Sequence, residues 1–346
     1  MECGIIGMQG VGKTTLFTAL TAHTVPVQVG SMTPNVGMAS IPDMRLEKIA
    51  EFIPPEKIVS ARVQVVDIPG VAVGGGGGQL NQVLASIREV DAVAHVVMCC
   101  EGHDPARDIS VMEAELIMAD LVVAESVLDK ARRSVRSGDK EAKDRLAVIE
   151  LVHGMLEEER PIREGTWDEY QVGILRSYGM VTAKPMLYVA NVAEDDLEGS
   201  DAGPVRDHAS GQGAPSLHLC ATLESEVSEL EAADRDEMLA SMGIAESALG
   251  AFARGCNELL GLTTFYTAGE KEVRAWSIPR GATAPEAAGA IHSDLQRGFI
   301  RAECYHCDEL FDLGSEKSIK EAGKMRSEGK SYVMQDGDVA HILFNV

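Results

Sequence analysis

The stretch Gly7-Met8-Gln9-Gly10-Val11-Gly12-Lys13-Thr14 decides the fold, because it has the Gly-x4-Gly-Lys-Thr pattern of a phosphate-binding loop. An apolar run at residues 2–6 precedes it and a helical pattern at residues 14–20 follows, which is the strand–loop–helix context this pattern needs. The glycines let backbone amides face a β-phosphate, and the positive helix end adds its dipole. The sequence therefore predicts a nucleotide site whose phosphate-binding residues are Gly10, Val11, Gly12, Lys13, Thr14 and Thr15.

A second motif supplies the metal and the γ-phosphate contacts. Lys13 is expected to bridge the β- and γ-phosphates and Thr14 to ligate Mg²⁺. Asp67-Ile68-Pro69-Gly70 has the DxxG spacing, in which the carboxylate holds the Mg²⁺ shell and the glycine amide senses the γ-phosphate. We therefore expect Asp67 to be a metal ligand, and Lys13 and Gly70 to be catalytic. The glycines at residues 74–78 predict a mobile loop.

A third motif lies where this class of protein binds the base. Asn191-Val192-Ala193-Glu194 follows an apolar run, and the usual form of this motif is Asn-Lys-x-Asp. A glutamate in place of the aspartate, with no lysine to stack, should spoil guanine recognition, because specificity requires every buried polar group to be paired. We expect Asn191 and Glu194 to contact the base, together with the backbone of Cys220 and Ala221.

The spacing of apolar runs predicts an α/β fold with a mostly parallel sheet. Besides residues 2–6, strand-like runs lie at 61–66, 92–98, 185–190 and 216–219, separated by helical stretches. We expect residues 1–108 and 180–261 to form one nucleotide-binding domain of the P-loop, Ras-like type.

Residues 109–179 interrupt this series. Apolar residues from Ile109 to Val135 keep a three-or-four spacing, Ser137-Gly138-Asp139 supplies a stop and a cap, and a second apolar stripe runs from Leu146 to Leu156. The pattern predicts an inserted antiparallel helical arm. Two ordinary helices covering the sheet are the alternative.

Residues 262–346 are typical of a small α+β domain. Strands are predicted at 273–278, 299–304, 332–334 and 339–344, with a turn at 335–338 joining the last two, and Thr283 and Glu286 have capping-box spacing. Cys304-Tyr305-His306-Cys307 allows a zinc interpretation, but a structural site needs four ligands, so buried packing cysteines are favoured.

Composition restricts the compartment and the partners. No apolar stretch is long enough to span a bilayer and no signal peptide is present, so the cytoplasm is expected, with no membrane partner. The seven cysteines lack framework spacing and fit reduced thiols. A net charge of -23 opposes bulk binding to polyanions, and no DNA partner is expected. Residues 130–136 are nevertheless basic, which indicates either surface solubility or contact with RNA phosphates.

With these residues in hand, the chain resembles the Obg-like ATPase (YchF) family of translation-factor-class P-loop proteins. The likeness includes Thr33-Pro34-Asn35-Val36-Gly37, Val66-Asp67-Ile68-Pro69-Gly70 and Asn191-x-x-Glu194. Further similar blocks lie, in the same order as in the family, at residues 41–46, 86–92, 104–109, 138–143, 184–185, 265–269, 273–276, 292–294 and 298–302. The blocks after residue 262 look like the family's TGS domain.

The resemblance implies a ribosome-associated switch that hydrolyses ATP in preference to GTP, with Mg²⁺ as cofactor and a role in translation or stress regulation. It implies contact with the large subunit or the 70S ribosome, and with its RNA, through the arm and the TGS domain. It also aligns Ser31 with a threonine that ligates Mg²⁺. His103, in a shortened loop, could substitute for a family histidine proposed to assist hydrolysis, but a solvated histidine without a catalytic role is favoured.

Three departures from the family pattern leave alternatives open. Gly10 replaces an asparagine tied to monovalent-cation stimulation, so potassium as a cofactor is undecided. Val71 holds the position of a catalytic glutamine and cannot orient water, which predicts slow hydrolysis. The loop around His103 is short. A nucleotide-binding scaffold with negligible turnover and a conventional GTPase therefore remain as alternatives.

Overall fold

The computed structural model describes residues 1–27, 31–71, 77–134, 140–244 and 246–345. The strands are β1 (Glu2–Ile6), β2 (Asn35–Ile41), β3 (Ile58–Val59), β4 (Ala61–Asp67), β5 (Ala92–Cys99), β6 (Met186–Val192), β7 (Ser216–Leu219), β8 (Leu262–Thr267), β9 (Val273–Pro279), β10 (Phe299–His306), β11 (Arg326–Glu328) and β12 (Asp338–Phe344). The helices are α1 (Lys13–Leu20), α2 (Met44–Phe52), α3 (Gly77–Glu89), α4 (Pro105–Ser134), α5 (Lys140–Glu157), α6 (Glu169–Ser177), α7 (Gly203–Gly211), α8 (Ala221–Ser228), α9 (Ala232–Ser241), α10 (Ala248–Leu259), α11 (Ala284–Ile291), α12 (Ser293–Arg297), α13 (Cys307–Leu313) and α14 (Glu316–Glu321).

The chain divides into two compact units. Unit 1 is Met1–Gly37 with Val65–Ala248, and unit 2 is Met38–Gln64 with Leu249–Val346. Unit 2 thus takes in more than the predicted C-terminal domain at 262–346. The three functional domains expected from the sequence stay a prediction.

The first sheet has the strand order β2-β4-β1-β5-β6-β7. The pairs β1–β5, β5–β6 and β6–β7 are parallel. Strands β1, β5 and β6 are buried along almost their whole length, as expected for continuous apolar runs in a sheet covered on both faces. The predicted α/β fold is confirmed, and the predicted strands of this sheet end within two residues of the observed ones.

Helices α4 and α5 pack against each other, and this helix pair is called the arm below. Helix α4 also contacts β5 and α7. Ile117, Ala124 and Leu128 of α4 share a buried cluster with Ile149 and Val152 of α5. Because only residues 135–139 join the two helices, they run antiparallel. Helix α4 begins at Pro105, before the predicted start at residue 109.

Part of the arm prediction falls outside the described residues. The stop and cap at Ser137-Gly138-Asp139, and the helical positions Val135 and Arg136, lie there. Within the described residues, α4 contacts strand β5 of the sheet as well as α5. The inserted arm at residues 109–179 stays a prediction, with two covering helices as its alternative.

Buried polar side chains hold the base of the arm. Asp120 in α4 is fully buried and accepts hydrogen bonds from the backbone N–H groups of Val181 and Thr182, at 2.9 and 2.7 Å. The Thr182 hydroxyl donates a third, at 2.6 Å. Nearer the start of the helix, Glu113 pairs with the guanidinium of Arg163. Burial alone would raise the pKa of Glu113, but Arg163 holds it below its usual value.

Unit 2 is built on a mixed sheet with the order β11-β10-β12-β8-β9-β3. Strand β12 pairs with β10 antiparallel and with β8 parallel, and the short strand β3 adds to β9 in parallel. Helix α2 packs within the same unit: the Lys48 ammonium lies 4.2 Å from the centre of the Phe311 ring, and Arg45 pairs with Asp336 at 2.6 Å. These contacts explain why residues 38–64 cluster with the C-terminal residues.

The predicted strand at residues 332–334 is wrong. Only Val333 forms a bridge, to Thr283, and the neighbouring backbone groups of Tyr332 and Met334 bond to the residues that enter α11. The antiparallel partner of β12 is instead β10, and β11 is a strand that the sequence did not indicate. The capping box between Thr283 and Glu286 at the start of α11 is confirmed.

Candidate functional site

The glycine-rich loop leaves the carboxyl end of β1 and enters α1. Gly7, Gly10 and Gly12 have φ angles of 149°, 87° and 88°, which favour glycine. A Cβ atom on Gly7 would lie 2.3 Å from the Val96 carbonyl oxygen, and one on Gly12 would lie 2.3 Å from the Asn191 amide nitrogen. A Cβ on Gly10 would meet no atom within 4 Å. The positions of Gly7 and Gly12 therefore leave no room for a side chain, whereas the position of Gly10 does.

Lys13 is the first residue of α1 and is only 6% exposed. Its ammonium donates a hydrogen bond to the Met8 carbonyl at 2.7 Å. Burial lowers the pKa of Lys13 to about 8, although the negative charge of Asp67 acts to raise it. A Cβ atom on Gly70 would lie 2.7 Å from the Lys13 nitrogen, so these two predicted catalytic residues are direct neighbours.

Oxygen ligands suited to a magnesium ion meet beside the loop. The Thr14 hydroxyl donates to Asp67 Oδ2 at 2.9 Å, and the Asn35 side-chain amide donates to the same oxygen at 3.2 Å. Asp67 is 5% exposed, and burial raises the pKa of its carboxyl. A hydroxyl and a carboxylate at this spacing match the hard oxygen ligands that Mg²⁺ prefers. The residues present therefore fit the ion.

Ser31 lies in the segment that leads into β2 and Asn35 begins that strand, and Ser31 as a metal ligand stays a prediction. Ser31 hydrogen-bonds within its own turn, accepting from the Thr33 N–H at 3.0 Å, and no hydrogen bond among the described residues joins it to Thr14 or Asp67. Asn35 was not predicted as a site residue. Its signal was its place in the Thr33-Pro34-Asn35 block, but a side-chain contact across 32 positions has no local pattern.

The chain after Asp67 folds back onto the glycine-rich loop. The Gln9 N–H donates to the Val71 carbonyl at 3.0 Å, and the Val71 N–H donates to the Gly7 carbonyl at 3.3 Å. Val71 is 9% exposed, so its side chain is turned away from solvent. Of the predicted mobile loop, residues 74–76 lie outside the described residues, and Gly77 and Gly78 begin α3.

Asn191 ties the phosphate loop to the loop after β7. Its amide nitrogen donates to the Val11 carbonyl at 3.0 Å, and its amide oxygen accepts from the Ala221 N–H at 2.9 Å. Cys220 precedes α8 directly and is buried. Glu194 is exposed, three residues beyond Asn191. Thr15 is partly exposed in the first turn of α1.

His103 lies in the short loop between β5 and α4. Its backbone N–H donates to the Cys100 carbonyl at 3.1 Å, and the side chain is exposed. Within the described residues, no hydrogen bond connects this imidazole to Lys13, Gly70 or Asp67. The catalytic role of His103 stays a prediction.

The cysteine motif of unit 2 does not form a four-ligand site in the described residues. His306, Cys307 and Asp308 are close together, but the His306 Nδ1 atom accepts from the Asp308 N–H and so caps α13. Cys304 and Cys307 are buried, and burial raises the pKa of their thiols to about 12 and about 11. The packing interpretation is favoured.

The parallel sheet, its glycine-rich loop and the Thr14–Asp67 pair define a P-loop nucleotide-binding protein of the GTPase fold. Comparison with known families agrees: residues 2–135 match the family described as 50S ribosome-binding GTPase, and residues 262–345 match the YchF-GTPase C-terminal family, described as a protein of unknown function. No helix in the described parts of the chain has both the length and the apolar character of a bilayer span.

Comparison with individual proteins gives the narrower assignment. The chain is 41% identical to the ribosome-binding ATPase YchF of Pasteurella multocida over 100% of this chain and 99% of that protein. It is 39% identical to the Bacillus subtilis protein of the same name over the full length of both. The solved Schizosaccharomyces pombe YchF GTPase has a TM-score of 0.87 at 31% identity, covering 99% of this chain and 97% of that one. The chain belongs to the YchF family.

Proposed function

We propose that this chain is a Mg²⁺-dependent ATP hydrolase that binds ribosomes and acts as a nucleotide-dependent switch in translation or stress regulation. The observation that carries the proposal is the meeting of Lys13, Gly70, Thr14 and Asp67 at one edge of the sheet. An ammonium, a glycine amide and two oxygen ligands are what the transfer of a γ-phosphoryl group needs.

Each residue has a separate task in this proposal. Thr14 and Asp67 hold Mg²⁺, with Ser31 as the predicted third ligand, and the ion neutralises charge on the phosphates. Lys13 exchanges its bond to the Met8 carbonyl for phosphate oxygens. The Gly70 N–H contacts the γ-phosphate, and no bulkier residue fits there without moving Lys13.

Hydrolysis by this site is slow in our proposal. A catalytic side chain at position 71 would orient the attacking water, but Val71 has no polar group and is buried against the glycine-rich loop. The ribosome, or the predicted assistance of His103, then supplies the missing acceleration. This same observation favours a second candidate function, a scaffold in which nucleotide binds without significant turnover.

The proposal includes a preference for ATP over GTP. Both polar ends of the Asn191 side chain are used to hold Val11 and Ala221, so Asn191 has a positioning role. Base selection then falls to Glu194 and to the backbone of Cys220, because the Ala221 N–H is already donated to Asn191. A glutamate extends one methylene further than the aspartate that pairs with guanine, which disfavours that pairing.

Ribosome binding rests on the names of the relatives, which are called ribosome-binding ATPases. We place the contact with the large subunit or the 70S ribosome on the arm and on the predicted TGS domain at 262–346. The basic residues at the end of α4, Lys130, Arg132 and Arg133, provide the charge for RNA phosphates.

Phosphate release in the presence of Mg²⁺, with and without purified ribosomes, tests the proposed function. Wild type should release phosphate faster when ribosomes are added, and Lys13→Ala should remove nearly all release. Lys57→Ala, at an exposed lysine outside the arm and outside residues 262–346, is the matched control and should behave as wild type. No increase with ribosomes and no loss in Lys13→Ala would favour the scaffold.

A further inference from the structure

The described end of the arm contains an open groove between α4 and α5. Its volume is about 420 Å³, within the size range of small-ligand sites. Val127 and Ala131 of α4 and Ala142 of α5 form its apolar wall, and the ring of Tyr178 lines one side. The charged side chains of Lys130, Glu141 and Arg145 also line it.

This groove lies in the most basic part of an acidic chain. Residues 129–145 hold seven lysines and arginines against four aspartates and glutamates, whereas the net charge of the whole chain is -23. Arg145 is held in place by Glu141 at 2.6 Å. The Lys130 ammonium is exposed and has no ion-pair partner among the described residues. A cation at the rim is therefore free for an incoming anion.

Tyr178 adds an aromatic surface to this charge. It follows α6 and packs on the buried cluster that α4, α5 and α6 share, so the ring is supported from behind. No hydrogen bond to its hydroxyl is present in the described part of the chain. A supported ring beside a free cation is how proteins bind unpaired nucleotides: the base stacks on the ring and the phosphate contacts the cation.

We propose that this groove binds an unpaired nucleotide of single-stranded RNA, with its base against Tyr178 and its phosphate at Lys130. Positive charge alone would also suit an acidic peptide. The aromatic ring favours RNA, because a nucleotide base stacks on it and an acidic peptide has no base to stack. The proposal deepens the proposed function, because ribosomal RNA is the source of such nucleotides if the chain binds ribosomes.

Fluorescence anisotropy with a labelled single-stranded oligoribonucleotide of about ten nucleotides tests the groove directly. Wild type should bind this RNA more tightly than a duplex of the same sequence. Tyr178→Phe should bind as wild type, whereas Tyr178→Leu, which keeps an apolar contact with the cluster, should bind about tenfold more weakly. Thermal unfolding of both variants should match wild type.

Charge is tested separately at the rim. Lys130→Gln should weaken RNA binding and reduce the slope of log affinity against log salt by about one. The control Lys57→Gln, at an exposed lysine outside the arm and outside residues 262–346, should change neither. Equal binding by Tyr178→Leu and wild type would overturn the proposal. The proposal would also be overturned if the duplex bound as tightly as the single strand. The same holds if polyglutamate displaced the labelled RNA as effectively as unlabelled RNA does.

Ribosome co-sedimentation separates this proposal from the proposed function. If wild type pellets with ribosomes and Tyr178→Leu pellets equally, the groove proposal is overturned and ribosome binding stands. If wild type does not pellet but the RNA results hold, ribosome binding fails and the groove stands.

Discussion

Gly12→Ala should release the two loops that Asn191 holds together. The added methyl group would lie 2.3 Å from the Asn191 amide nitrogen, and the residue has a φ angle of 88°. The left-handed backbone costs an alanine about 1–2 kcal/mol. Displacing Asn191 breaks its bonds to Val11 and Ala221 and leaves both backbone groups unpaired, at about 1–2 kcal/mol each.

Gly10→Ala is a matched control for this substitution. Gly10 has nearly the same φ angle, 87°, but an added methyl group would meet no atom within 4 Å. The backbone cost is therefore common to both variants. The difference between their losses of stability, about 2–4 kcal/mol, then measures the Asn191 contacts alone.

Hydrogen exchange of the Ala221 amide is the sharpest readout, because this amide donates to Asn191. In the nucleotide-free protein, Gly12→Ala should exchange this proton on the order of 30- to 1000-fold faster than Gly10→Ala, the rate equivalent of that energy difference. Equal exchange rates in the two variants would refute the positioning role of Asn191.

Three other predictions concern the nucleotide site and the arm. The pKa of Lys13 in the free protein is about 8, and phosphate binding needs its protonated form, so ATP affinity should fall about tenfold from pH 7 to pH 9. Calorimetry at several pH values should show a weaker pH dependence of ATP affinity in Lys13→Arg, because arginine stays protonated. A flat wild-type profile would contradict this. Glu194→Asp should shift the ratio of GTP to ATP affinity towards GTP by about tenfold in competition binding, and an unchanged ratio would remove Glu194 from base selection. Asp120→Ala should lower the free energy of unfolding in urea by about 2–4 kcal/mol, because it leaves two buried N–H groups unpaired. The control Asp129→Ala, at an exposed position of the same helix, should lower it by under about 0.5 kcal/mol. Equal losses would contradict the buried anchor.

The parts of the fold that the sequence predicted well are those with a local signal. The strand, loop and helix around Lys13 follow from glycine spacing and apolar runs, and Asp67 follows from its motif. Each of these patterns lies within about ten residues of chain. The parallel strands were found for the same reason, because buried strands are continuously apolar.

The parts that the sequence missed depend on contacts between distant residues. Asp43 caps α2 and also accepts a hydrogen bond from the Tyr266 hydroxyl, 223 positions away, which helps to bring α2 into unit 2. The pairing of Arg163 with Glu113 likewise joins residues 50 positions apart. No periodicity in the sequence encodes such pairs. The strand predicted at residues 332–334 is wrong because, in the described chain, only Val333 forms a bridge there, to Thr283.

The site residues named from the sequence stay predictions, and the structure adds where their side chains lie. The sequence named Asn191 for its place in a base-binding motif, and both polar ends of its side chain hydrogen-bond to other loops, at Val11 and Ala221. It named Ser31 by alignment, and the hydroxyl lies in a local turn, whereas Asn35 contacts Asp67. Side-chain partners are set by packing, which a single sequence does not reveal.

Calorimetric titration of the wild-type protein with ATP and with GTP, each in Mg²⁺, most directly tests the claim that this cradle is an ATP site. We predict tighter binding of ATP than of GTP, and loss of both in Lys13→Ala. Equal or tighter binding of GTP would contradict the account, and so would ATP binding that survives the loss of Lys13.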